Sequence, residues 1–128
     1  MEYIGYRSYH AANLESRIAN GSPIQLVLLL TDGLLDEMAR ARAHILARRI
    51  EAKGASIGKC IELVDGLSSA LDVSSGSEVA TNLVALYDYC VQRLNEASIA
   101  LDVAPLDEAA RLISVLREGW QGAEDAAG

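Results

Sequence analysis

From Ser22 to Trp120 the apolar residues return every three or four positions, in four blocks separated by turn formers. That period lays side chains along one face of an α-helix. No stretch alternates apolar and polar residues between turns, as a half-buried strand would, and no internal repeat is evident. Four amphipathic helices with short connections predict an all-α fold, an antiparallel four-helix bundle, preceded by a short N-terminal arm.

The block boundaries carry local signals. Ser22 is a good N-cap, Pro23 suits the first helical position, and Gln25 sits where a capping box wants Glu or Gln. The first helix is predicted to run to about Ile50, with Arg42, Arg48 and Arg49 towards the negative end of its dipole. The second spans about Ala52–Leu71 on the stripe Ile57, Cys60, Ile61, Val64, Leu67 and Leu71. The turn formers of residues 72–77 follow. The third begins near Ser77, with Glu78 in its first turn and Val79, Leu83, Leu86, Cys90, Leu94, Ala97 and Leu101 on its stripe. After a break at Asp102–Ala104 the fourth starts at Pro105, with Asp107 and Glu108 near its positive end and Leu106, Ala109, Ile113, Leu116 and Trp120 as its stripe. The organisation expected is an arm over 1–21, a bundle over 22–121 and a flexible tail over 122–128, where GAEDAAG should fray.

The first helix has more apolar surface than one stripe requires. On a wheel of about 100° per residue, Leu26, Leu30, Leu34, Ala41 and Ile45 cluster with Val27 and Met38. Ile24, Leu28, Leu35, Ala39 and Leu46 form a second stripe roughly 120° away. Asp32, Asp36 and Arg40 make the polar wedge. Two readings of the second stripe are open: it packs on a neighbouring helix, or part of it is a groove awaiting an added helix. The arm, with Tyr3, Ile4, Tyr6 and Tyr9 and a helical stretch between Ala11 and Ala19, needs an apolar surface to lie on. A displaceable arm over such a groove fits the second reading. Tyr87 and Tyr89 are two apart and so flank opposite edges of the third helix's stripe, with Asn82 and Arg93 also off its centre. Tyr and Arg at such edges are either packed rims or interface. Gly33, beside Asp32 in mid-helix, costs about 1 kcal/mol against alanine and is read as a point of close helix approach.

Charge and composition narrow the function. A net charge of −7 and a pI near 4.7 repel phosphate backbones and anionic lipid, so neither nucleic acid nor membrane insertion is expected. The longest unbroken apolar run, Leu26–Leu30, is far short of the ~20 residues that span a bilayer, and MEYIGYRSYH lacks a signal-peptide pattern. A cytoplasmic protein is expected. Cys60 and Cys90 read as small buried hydrophobes, with no zinc-ligand spacing. Neither His10 nor His44 has a Glu three positions earlier, so no di-iron bundle motif is present. No phosphate loop, nucleophile elbow or HExxH motif occurs, and no enzyme, metal or cofactor is expected. One alternative uses His44. Histidine phosphotransfer domains are four-helix bundles with an exposed mid-helix histidine near a basic residue, and Arg48 lies one turn on. The following ILARRI does not match that family's histidine neighbourhood.

From the tyrosine arm to Trp120 the chain resembles the flagellin export chaperone family, FliS. The resemblance is carried by Ser22-Pro23 followed by Leu26, Leu29, Leu30, Asp32 and Gly33, and by LSSALD at 67–72. Glu78-Val79-Ala80 with Asn82-Leu83, LYDYC at 86–90, Arg93-Leu94, Glu96-Ala97, Asp102 and LREGW at 116–120 continue it. Thr31 stands where the family usually has Tyr, Ser75-Gly76-Ser77 where it has paired glycines, Cys90 for Met and Ser98 for Asn. The resemblance implies a cytoplasmic chaperone that binds the disordered C-terminal segment of flagellin, blocks premature polymerisation and hands the subunit to the flagellar export apparatus. It implies export-gate components as further partners. It also implies that Tyr3, Ile4, Tyr6 and Tyr9 form an arm covering part of the groove. Leu28, Thr31, Asp32, Leu35, Asn82, Tyr87, Tyr89 and Arg93 are the implied groove residues.

Overall fold

Each periodic block is one helix. The computed structural model of the protein describes residues 23–71 and 76–127. Helix α1 is Pro23–Leu46, α2 Ile50–Ser69, α3 Glu78–Ala100 and α4 Val103–Ala127. Among the described residues there is no strand. Each helix packs chiefly on two neighbours, in the ring α1–α2–α3–α4–α1. Short connections within that ring make consecutive helices antiparallel. The arm expected over residues 1–21, with Tyr3, Ile4, Tyr6 and Tyr9, lies outside the described residues, as do Ser22 and residues 72–75.

The core is one cluster with three or four residues from every helix. Leu34, Met38, Ala41 and Ile45 meet Ile57, Cys60, Val64 and Leu67, then Tyr87, Cys90, Leu94 and Ala97, then Leu106, Ala109 and Ile113. These residues fall on the stripes expected from the periodicity, with Tyr87 added, but not every expected position is buried: Leu26, Leu30, Ile61, Leu71, Leu83, Leu86, Leu101, Leu116 and Trp120 stay half-buried, and Val79, at the exposed start of α3, is 68% exposed. The second stripe of α1 divides. Leu28 is buried and Leu35 packs against the core cluster, whereas Ala39 and Leu46 remain exposed.

Helix α1 stops four residues before the expected Ile50. Arg48 adopts a left-handed backbone with φ 57°, and the Arg49 amide turns back onto the His44 carbonyl at 2.9 Å. The arrangement satisfies end carbonyls that the helix would otherwise orphan. Helix α2 consequently starts at Ile50 rather than Ala52 and ends at Ser69. Leu101, with φ 51°, ends α3 in the same way, and the Asp102 amide reaches the Ala97 carbonyl at 3.2 Å. A left-handed non-glycine residue costs about 1–2 kcal/mol. At Leu101, packing of the side chain on the core opposes that cost. Arg48 is exposed and has no such return. Arg48→Gly is therefore expected to stabilise the protein by about 0.5–1 kcal/mol, after glycine's own entropy is subtracted. A rise in urea midpoint at constant m-value would show it.

The other ends follow side-chain caps. The Ser77 hydroxyl accepts from the Ala80 amide at 3.3 Å, opening α3. A carboxylate oxygen of Asp102 accepts from the Ala104 amide at 3.0 Å, so α4 begins at Val103 and Pro105 is its third residue. Residues 122–127, expected to fray, are the last turns of α4. The Gln25 side-chain amide donates to Glu124 at 2.8 Å and ties that end to α1. Gly33 is not a point of close approach. A Cβ built there meets nothing within 4 Å, because the residue lies off the packed side of α1.

Candidate partner-binding surfaces

Two seams of the bundle carry polar groups that the periodicity of single helices does not pair. The first joins α1 to α4. Arg42 donates to both carboxylate oxygens of Asp107, at 2.9 and 3.4 Å, and Arg117 donates to Asp32 at 2.5 Å. Stepping from Arg42 back to Asp32 on α1 matches stepping from Asp107 on to Arg117 on α4, which is the register of two antiparallel helices. Near the start of α1 the seam opens into a cleft. Gln25, Leu28, Leu29 and Asp32 form one wall, and Arg117, Gln121 and Glu124 the other.

The second seam joins α3 to α4. The Tyr89 hydroxyl donates to Glu108, and the Arg93 guanidinium donates to the same carboxylate oxygen at 2.9 Å. Arg93 also pairs with Glu96 one turn on. The hydrogen bond from Tyr89, with Arg93 beside it, holds the Glu108 carboxyl below the ordinary carboxylate range, against the opposing effect of desolvation. The same bond pushes the Tyr89 phenol up. A carboxyl lowered on folding stabilises the fold above its unfolded value, about 4.3, and loses that contribution as pH falls through the folded value. Glu108→Gln is expected to lower stability at neutral pH and to flatten its acid decline, read from urea midpoints at about pH 7 and pH 3. Parallel pH profiles for wild type and variant would show that Glu108 does not pin the seam. Near the α3–α4 turn, Arg93, Glu96, Ile99, Ala100, Asp102, Ala104 and Pro105 line a second cleft.

Six large hydrophobic side chains are exposed among the described residues. Leu46 and Ile50 stand at the α1–α2 turn. Val79 at 68%, Tyr89 at 40%, Ile99 at 86% and Val115 at 65% all belong to α3 and α4.

The eight groove residues named from sequence do not meet in one place. Leu28 and Asp32 line the α1–α4 cleft, and Leu35 is half-buried beside the core. Asn82 is exposed on α3, and Tyr89 and Arg93 belong to the α3–α4 seam. Thr31 and Tyr87 are each 2% exposed and offer no surface to a partner. The Thr31 hydroxyl donates to the Val27 carbonyl at 2.7 Å, so it is satisfied within its own helix. Tyr87 is among the largest fully buried side chains, and burial pushes its phenol up. Close by, the Trp120 indole N–H is buried; it approaches the Tyr87 hydroxyl and so opposes that shift, but makes no well-formed hydrogen bond among the described residues.

Sequence reasoning passed over Val115 and Glu108 as surface features. Val115 had a readable signal, since it falls off the α4 stripe defined by Ile113 and Leu116. Glu108 had none beyond its place in a first turn, because its partners lie on another helix. His44 sits in the last turn of α1 rather than mid-helix, and its Nδ1 accepts from the Arg49 guanidinium at 3.0 Å. Arg48, expected one helical turn after it, lies beyond the helix end. The two cysteines are fully buried. Burial, with Glu37 nearby, pushes the Cys60 thiol up to about 12, and burial, with Glu108 adding, pushes Cys90 to about 11. No cluster of three His, Cys, Asp or Glu that could hold a metal occurs among the described residues, and none of the helices there is long and apolar enough to cross a membrane.

Comparison with known proteins gives this bundle its relatives. The family described as flagellar protein FliS matches residues 5–127. The chain is 37% identical over 116 residues to the flagellar secretion chaperone FliSB of Pseudomonas aeruginosa, spanning 91% of this chain and 92% of that protein. It is 36% identical over 118 residues to the flagellar secretion chaperone FliS of Salmonella typhimurium, spanning 91% of this chain and 87% of that one. The corresponding Escherichia coli chaperone is 34% identical with the same coverage. With all four helices inside the matched span, the chain belongs to the flagellar protein FliS family, together with these flagellar secretion chaperones.

Proposed function

We propose that this protein is a cytoplasmic export chaperone for flagellin. It binds the disordered C-terminal segment of that subunit, prevents premature polymerisation and delivers it to the flagellar export apparatus, where export-gate components are further partners. The observation that carries the reading is the match to flagellar secretion chaperones over about nine-tenths of the chain. A client that folds on binding must offset its own ordering cost, so the chaperone needs apolar surface to offer. Leu28, Asp32 and Leu35 on α1, with Asn82, Tyr89 and Arg93 on α3, serve as two separate contact patches rather than one groove. Residues 1–21 act as a displaceable cover through Tyr3, Ile4, Tyr6 and Tyr9. The protein works by binding alone and catalyses no reaction.

The decisive experiment mixes the protein with flagellin and with flagellin lacking its C-terminal segment, on a sizing column. Co-elution with the intact subunit and none with the truncated one is expected. Equal co-elution with either would overturn the reading. For the arm, deleting residues 1–10 is expected to leave the bundle folded and to speed association, and an unchanged or slower rate would remove the covering role.

A further inference from the structure

The net charge of −7 disfavours anionic lipid for the chain as a whole, but it is not shared evenly along it. Residues 40–59 hold six of the eleven basic side chains and a single carboxylate, Glu51, whereas the remainder holds seventeen carboxylates against five basic groups. This basic stretch is the end of α1, the turn after it and the first half of α2. Lys53 Nζ donates to the Ser98 carbonyl and hydroxyl at 3.0 and 3.2 Å, and Arg42 pairs with Asp107. The α1–α2 turn therefore shares one end of the bundle with the α3–α4 turn.

The other carboxylates of that end are engaged. Asp107 holds Arg42, Glu96 and Glu108 hold Arg93, Glu37 holds Arg40, and Asp102 accepts from the Ala104 amide. Arg48, Arg49 and Lys53 have no carboxylate partner among the described residues, and Glu51 alone opposes them. Arg49 meets only the His44 ring. The next carboxylates along the helices, Asp36, Glu62 and Asp88, stand ten or more positions from the turns, about 15 Å away. The screening length at physiological ionic strength is about 8 Å, so the acidic body is largely screened from this end.

The shape suits a soft partner. Residues 46–51 are exposed without a break. Leu46 at 61% and Ile50 at 55% flank the two arginines, and Ile99 at 86% stands in the last turn of α3 at the same end. No Tyr, Trp or Phe lies in residues 40–59, so the stacking surface that single-stranded nucleic acid uses is missing. A bilayer interface moulds itself round such a knob, taking aliphatic side chains into its acyl boundary and arginines onto its phosphates. Arg48 adds an independent observation. Its left-handed backbone would cost less as glycine, and no contact among the described residues offsets that cost. A headgroup phosphate on its guanidinium supplies one.

We propose that this end of the bundle docks on an anionic phospholipid surface. Leu46 and Ile50 enter the boundary between headgroups and acyl chains, Arg48 and Arg49 meet lipid phosphates, and Lys53 adds charge behind them. The contact is peripheral, since no described helix is long and apolar enough to cross a membrane. The acidic remainder of the bundle points away from the bilayer, because the same surface repels it. This inference stands apart from the flagellin reading, as none of these residues belongs to the patches assigned to the client.

The test sediments the full chain with vesicles of phosphatidylcholine alone, and with vesicles of phosphatidylcholine and phosphatidylglycerol in equal parts. Wild type is compared with Arg48→Gln/Arg49→Gln, Leu46→Asn/Ile50→Asn, Arg48→Gly and a control, Val79→Asn/Val115→Asn, on α3 and α4. Far-UV circular dichroism checks that each variant is folded. Expected is binding to the phosphatidylglycerol vesicles only, weakening as salt is raised. The double arginine and double aliphatic variants should each bind about tenfold or more weakly. Arg48→Gly should bind about fivefold more weakly although it is the more stable protein, which a purely structural arginine would not do. The control should bind as wild type does. No binding to the mixed vesicles, equal binding to phosphatidylcholine alone, turn variants that bind as wild type does, or equal weakening in the control would overturn the proposal. So would wild type that ignores vesicles but binds polyglutamate through the same arginines, since the partner would then be an acidic protein. A dimer in sedimentation that Leu46→Asn/Ile50→Asn dissolves would assign the knob to a second copy and overturn it equally. Protein that co-elutes with flagellin yet leaves the vesicles alone overturns this inference and keeps the client reading intact.

Discussion

Tyr87→Ala is expected to cost about 3–5 kcal/mol of folding stability, as large-to-small changes of buried aromatics do. Its neighbour on the other side of Asp88 should behave differently, with Tyr89→Ala costing under about 1 kcal/mol. Tyr87 is 2% exposed within the core cluster, so its removal leaves a cavity lined by rigid helices. Tyr89 is 40% exposed, and its hydroxyl meets Glu108 at the surface, where pairing contributes little. Chemical denaturation at neutral pH measures both. Two tyrosines of similar cost would mean that the bundle is packed differently at this layer.

Leu94→Ala is expected to cost about 2–5 kcal/mol, against under about 1 kcal/mol for Val115→Ala. Leu94 is fully buried in mid-α3, while Val115 is among the most exposed aliphatic side chains of the described residues. Domains of this kind have net stabilities of about 5–15 kcal/mol, so the first change can remove much of the margin. The same urea series reads both variants, with a constant m-value checking that the unfolded state is unaltered. If Val115→Ala proved the more damaging, the exposed face of α4 would be structural rather than available.

Much of the fold was legible because its signals are local. The three- and four-residue spacing of Leu34, Met38, Ala41 and Ile45 marks one face whatever the rest of the chain does. Ser77 and the acidic first turn of α3 are equally local. The end of α1 was not legible, since its stop is an arginine in a left-handed conformation, with no glycine or proline to announce it. Pro105 pointed to the right turn but not the right residue, because Asp102 supplies the cap. Gly33 suggested close packing and turned out to face open space.

The surfaces were less legible than the helices. Arg117 meets Asp32 across 85 positions, and Arg42 meets Asp107 across 65. No periodicity within one helix can pair them. Sequence by itself determined that this protein is four amphipathic helices with a shared apolar core, because helical spacing and capping act within a few residues. Only the tertiary structure decided that Tyr87 goes inside and Tyr89 outside, and that Val79 stays uncovered although it lies on the apolar stripe of α3. Burial depends on which neighbour stands opposite a residue, and that is set by how the helices rotate and register against one another.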